Sequence, residues 1–182
     1  LLGGNKDCIY LQDTNYLYAK GICNCLGDSL TYGLQGSGRL TNPYPSLLKD
    51  LCGFSLVNNY GISSSTIATN SSVANWNEVR NPMVLRYGNM DANAKAITVL
   101  AGSNDYLTNV PLGTMNDTST DTFYGALHTL YSGLIKKYPT IPILVITPPQ
   151  MRADKLQART DNVTFSQWVN AIKEVANHYS LP

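Results

Sequence analysis

The chain is 182 residues long and 43% hydrophobic, enough for one domain with a sizeable core and too apolar for a disordered segment. Thirteen basic and twelve acidic residues, a net charge of +1 and no basic cluster exclude a nucleic-acid surface, and no apolar run is long enough to span a bilayer. Charged residues make up only 14%, so Asn, Ser, Thr and twelve Tyr carry the polarity, which suits an extracellular, cell-envelope or phage-associated setting over a cytoplasmic one.

Residues 1–20 read as an N-terminal extension, either a hairpin or the tail of an upstream domain. Leu1-Leu2-Gly3-Gly4 has neither the basic start nor the hydrophobic stretch of a signal peptide. With no initiator Met, the chain is read as starting partway through a longer or processed product. Residues 21–182 read as one domain. Ile22–Leu26 is the first strand. Asn42-Pro43-Tyr44-Pro45 opens a helix with Leu47, Leu48 and Leu51 on one side and Gly53 at its close. Phe54–Asn58 is the second strand, and Ser63–Ala68 reads as a short helix after Gly61. Ala96–Ala101 is a buried strand ending at Gly102. Asp121–Tyr138 is helical, with Phe123, Leu127, Leu130 and Leu134 at core spacing and Pro139 just beyond. Ile141–Thr147 is the fourth strand, stopped by Pro148-Pro149. Thr164-Phe165-Ser166-Gln167 is a capping box, followed by the stripe Phe165, Trp168, Val169, Ile172 and Val175.

Strands alternating with helices predict an α/β fold, a three-layer α/β/α sandwich around a parallel, flavodoxin-like sheet of about four to five strands. In such sheets ligands bind at the carboxyl ends of the strands. Two polar loops fall there: Gly27-Asp28-Ser29 after the first strand and Gly102-Ser103-Asn104-Asp105 after the third. A serine where a buried strand turns into a helix can expose its hydroxyl while its own N–H faces a developing oxyanion. Each feature also has a plainer use. Asp28 or Ser29 can cap a helix, Asn104-Asp105 can form a turn, and Gly61 can end a strand. Tyr32 and Tyr106 flank the loops, either lining a site or packing, and Asp105 is assigned to stabilising its own loop.

Cys8, Cys23, Cys25 and Cys52 are too few for a disulfide scaffold. Cys23 and Cys25 share one face of a strand and read as small core hydrophobes, since a metal would need ligands beyond His128 and His178. No α/β-hydrolase Gly-x-Ser-x-Gly, phosphate loop or zincin motif occurs, and Gly36-Ser37-Gly38 is too short for a dinucleotide loop. No cofactor and no metal is called for.

Gly27-Asp28-Ser29-Leu30, the glycine loop Asn58-Asn59-Tyr60-Gly61-Ile62-Ser63-Ser64-Ser65-Thr66, and Gly102-Ser103-Asn104-Asp105, in that order and each at a strand end, closely resemble the GDSL (SGNH) hydrolase family of esterases and acylhydrolases. The resemblance runs from about Gly21 to Pro182. It implies the SGNH hydrolase fold, Ser29 as nucleophile, and an oxyanion hole made by the Ser29 N–H, the Gly61 N–H and the Asn104 side-chain amide, with Asp28 and Asp105 in support. The family's base and its orienter come from an Asp-x-x-His motif beyond the last strand, and nothing here matches it. His128 and His178 read as structural. The chain stops at Ser180-Leu181-Pro182, where that final strand is expected to begin, so the sequence is read as incomplete at its C-terminus, with weak or no activity. An unpaired sheet edge invites self-association. The expected reaction is cleavage of short acyl esters, acetyl above all, on small molecules or on carbohydrate or cell-wall polymers of bacterial or phage context. The alternative is a non-catalytic glycan-binding or structural module on the same fold.

Overall fold

The computed structural model describes residues 21–36, 38–152, 159 and 161–182. The expectations for residues 1–20, including Cys8, lie outside the described residues. Four parallel strands form the main sheet: β1 (Ile22–Gly27), β4 (Leu56–Gly61), β5 (Ala94–Leu100) and β6 (Ile143–Ile146), in the spatial order β4-β1-β5-β6. The helices are α1 (Ser29–Tyr32), α2 (Tyr44–Cys52), α3 (Trp76–Arg80), α4 (Met83–Arg86), α5 (Ser103–Leu107), α6 (Phe123–Lys137) and α7 (Phe165–His178). A small antiparallel pair, β2 (Leu34–Gln35) and β3 (Gly38–Arg39), lies between α1 and α2 in the chain.

Alternation along β1 sorts the layers. Cys23 and Cys25 face one side and pack with Ala96 against Tyr44, Leu48, Phe54 and Val57, so α2 covers that face. Leu26, Ile97 and Val99 join the larger core built with Phe123, Leu127, Leu130 and Leu134 of α6 and Trp168, Ile172 and Val175 of α7. This is the α/β/α sandwich expected from the alternation of elements. Asn24, fully buried on β1, donates from Nδ2 to Asp91 O at 2.9 Å and accepts from Asn58 Nδ2 at 3.0 Å, which ties β1 to β4 and to the segment before β5.

The helix ends follow their sequence signals. Thr164 Oγ1 accepts from Gln167 N and Gln167 Oε1 accepts from Thr164 N, the reciprocal capping box. Gly53 closes α2 with φ 71, a backbone conformation that glycine adopts without steric penalty. Three local expectations change. On α2 the row turned toward the sheet is Tyr44, Leu48 and Cys52, each half-buried, whereas Leu47 and Leu51 are 45% and 77% exposed. The i, i+4 row running from Tyr44 decides which side faces the sheet. The second strand is shifted to Leu56–Gly61, because pairing with β1 extends to Gly61 opposite Gly27. Residues 63–68 form no helix: the N–H groups of Ile67 and Ala68 go to the Asp105 carboxylate, leaving no helical ladder. Beyond α7 the Val145 N–H donates to Pro182 O at 2.8 Å, so the segment after α7 lies along the outer edge of β6.

Candidate active site

Register brings the proposed site together. Gly27 of β1 pairs with Gly61 of β4 on one side and Leu100 of β5 on the other. The chain leaves all three at the carboxyl edge of the sheet, placing Ser29 two residues past Gly27 and Asn104 four past Leu100. Gly27 itself admits no side chain, because a Cβ there would lie 1.9 Å from Thr31 Oγ1 and 2.6 Å from Leu100 O. The chain can therefore turn directly from β1 into α1.

Asp28 is the N-cap of α1, and its Oδ1 accepts from Leu30 N at 2.9 Å. The plain capping role thus holds for Asp28, and it leaves Ser29 half-buried as the first residue of the helix. Asp28 is 1% exposed, and its Oδ2 has no partner among the described residues. Burial pushes its carboxyl up to about 6, against the pull of the Leu30 N–H and the Arg86 guanidinium.

Asn104, on α5, donates one Nδ2 hydrogen to Ser65 O at 2.9 Å, which fixes the amide and leaves its second hydrogen for another acceptor. The Gly61 N–H, expected to face the oxyanion, is given to Asn59 Oδ1 at 2.9 Å. Asn59 forms an Asx turn over two residues and donates its own Nδ2 to Thr31 O at 2.8 Å, tying β4 to α1. Gly61 is needed for close approach instead: a Cβ there would lie 2.1 Å from Tyr32 N. Asp105 also differs from expectation. Fully buried, it braces not its own loop but Ile67 and Ala68, accepting from Ile67 N at 2.9 and 3.0 Å and from Ala68 N at 2.9 Å. Burial pushes it up to about 7 despite those donors.

Tyr106 is a packing residue, 1% exposed and edge-on to Phe165 and Trp168, while the Arg39 guanidinium covers the half-buried Tyr32 ring at 4.5 Å. His128 has both ring nitrogens engaged, Nδ1 with Tyr179 Oη at 3.1 Å and Nε2 with Met115 O at 3.0 Å. The His178 ring packs edge-on to those of His128 and Tyr179, with centroids 5.5 and 4.8 Å away. Neither histidine hydrogen-bonds Ser29. Among the described residues, no group of three or more His, Cys, Asp or Glu could hold a metal ion, and no helix is long and apolar enough to cross a membrane.

Sequence reasoning did not single out Arg86, whose guanidinium lies between the site loops. A lone arginine between Leu85 and Tyr87 carries no motif signal.

The model of the GDSL-like Lipase/Acylhydrolase family matches residues 25–182. The chain belongs to this family. A crystal structure of a protein from Lactobacillus plantarum is 30% identical, covers 90% of this chain and 75% of its own, and superposes with a TM-score of 0.77. A protein from Bacteroides uniformis described as a GDSL-like lipase has the same fold at 20% identity, with 89% and 81% covered and a TM-score of 0.69. A carbohydrate acetylesterase family member from Sinorhizobium meliloti also shares the fold, at 24% identity, 88% and 80% covered and a TM-score of 0.55. No curated protein matches the sequence. Membership in the GDSL-like family makes the chain a hydrolase of the esterase and acylhydrolase class.

Proposed function

We propose that the chain cleaves short acyl esters, acetyl esters above all, on carbohydrate or cell-wall material through an acyl-enzyme on Ser29. Ser29 Oγ attacks the carbonyl carbon, the C–O bond to the alcohol breaks, and water then releases the acid from Ser29. The Ser29 N–H and the free hydrogen of Asn104 Nδ2 face the oxyanion. Gly61 lets α1 approach β4 closely, Asp28 caps the Ser29 turn, and Asp105 braces the segment at Ile67 and Ala68 that follows the Gly61 loop. The observation that carries this reading is the common row of Gly27, Gly61 and Leu100, from which Ser29 and Asn104 both depart. The substrate class rests on the family and on the polar, charge-poor composition, which also favours an extracellular, envelope or phage-associated setting.

The Ser29 proton needs a base; His128 has both ring nitrogens hydrogen-bonded elsewhere, and His178 packs its ring edge-on to His128 and Tyr179. The alternative reading is a module that binds a glycan on this fold without cleaving it. Hydrolysis of p-nitrophenyl acetate, with and without imidazole as an added base, separates the two. Cleavage requires a slow protein-dependent rate that imidazole raises and Ser29→Ala abolishes. Asn104→Ala is expected to lower that rate about 100-fold with little change in stability. Equal rates for the parent chain and Ser29→Ala at every imidazole concentration remove the esterase and leave the binding module.

A further inference from the structure

We infer that Arg86 is the positioning residue of the site: one guanidinium that aligns the Ser29 turn, the end of β4 and the Asn104 amide at once. This rests on the esterase reading above and adds a residue that no motif in the sequence marks.

Arg86 closes α4, and its side chain reaches back across the carboxyl edge of the sheet. Nη2 donates to Gly27 O at 2.9 Å, on the last residue of β1 and immediately before Asp28. Nη1 donates to Tyr60 O at 2.7 Å, next to Gly61. Nη2 also donates to Ser65 Oγ at 2.9 Å, and Nε donates to Asn81 O at 3.0 Å. Four of the five guanidinium N–H donors are thus used on the protein itself, too many for Arg86 to serve as a binding site for a substrate anion.

The contacts form a chain toward the reacting centre. Ser65 Oγ accepts from Arg86 and donates to Asn81 O at 2.8 Å, so its residue is held from two sides. The carbonyl of the same residue accepts from Asn104 Nδ2 and sets the rotamer of the amide. Asn81 adopts φ 45, an unusual backbone for a residue other than glycine, and its carbonyl serves both Arg86 and Ser65. Desolvation lowers the guanidinium to about 10, partly offset by the Asp28 carboxylate, so it stays charged at neutral pH.

A planar fork can hold carbonyls from separate segments at fixed angles, and an ammonium cannot. Lysine at this position keeps the charge and loses the alignment. Alignment of a donor with a developing oxyanion is an effect on the transition state, so its loss lowers kcat and leaves KM in place.

The test compares Arg86→Met and Arg86→Lys with the parent chain in p-nitrophenyl acetate hydrolysis with imidazole and in NMR of the Asn104 side-chain amide. Arg86→Met is expected to lose about 100-fold in kcat, with KM within about twofold. Arg86→Lys recovers only part of that loss. In both variants the two Asn104 Nδ2 protons shift and exchange faster with water. A folded Arg86→Met with the parent kcat, or with unmoved Asn104 resonances, overturns the inference while leaving the esterase reading intact. Should Ser29→Ala hydrolyse as fast as the parent, the esterase reading fails and the NMR arm alone decides Arg86. If Arg86→Met shows no cooperative unfolding transition, Arg86→Lys decides on the same criteria.

Discussion

Replacing Asp105 with alanine removes the acceptor that two loop N–H groups share in the interior. Ile67 and Ala68 are buried, and their N–H groups meet this carboxylate. In Asp105→Ala both donors are orphaned, at about 1–3 kcal/mol each, so the expected destabilisation is about 2–6 kcal/mol. Asp105→Asn is milder. Its Oδ1 can serve both N–H groups as it does in the parent, and only the second branch from Ile67 is lost, about 1 kcal/mol.

The pH dependence carries a definite sign. Burial raises the Asp105 carboxyl from 3.8 to about 7, so the native state keeps a proton that the unfolded chain has already released. The associated stability is complete below about pH 4 and is lost as pH rises through about 7, by up to about 4 kcal/mol. Asparagine has no such dependence. Urea unfolding followed by tryptophan fluorescence between pH 4 and 8 is expected to show Asp105→Asn below the parent at pH 4 and level with it or above it at pH 8. Parallel curves for the two proteins, or an Asp105→Ala variant within about 1 kcal/mol of the parent, would refute the assignment of Asp105 as a buried brace.

Gly61→Ala sets a Cβ 2.1 Å from Tyr32 N, and relief to an ordinary contact of about 3.5 Å requires α1 to retreat by more than an ångström. Urea unfolding should show a loss of about 1–3 kcal/mol, and any Ser29-dependent hydrolysis should fall about 100-fold; an unchanged rate would mean that α1 is not held against β4. Asp28→Asn keeps the Oδ1 cap on Leu30 and removes a carboxyl raised to about 6, whose stability contribution is lost as pH rises through that value. Its unfolding free energy should therefore vary less between pH 4 and 7 than that of the parent, and an equal variation would place Asp28 in a more solvated setting.

Much of the architecture was legible in the sequence. The capping box at Thr164, the α6 repeat of Phe123, Leu127, Leu130 and Leu134, and the apolar β-runs are local patterns, and local patterns survive folding when a core lies on their apolar side. The strand-end motifs at Ser29 and Asn104 were readable for the same reason: each is a short contiguous segment. What tertiary structure decided is how those segments share their polar groups. Asn59 takes the Gly61 N–H, Asp105 braces a loop nearly forty residues before it in the chain, and Arg86 joins carbonyls from three segments. Such bonds depend on which backbone groups are left unpaired where strands end, and that is set by sheet register across the chain, which no local pattern contains.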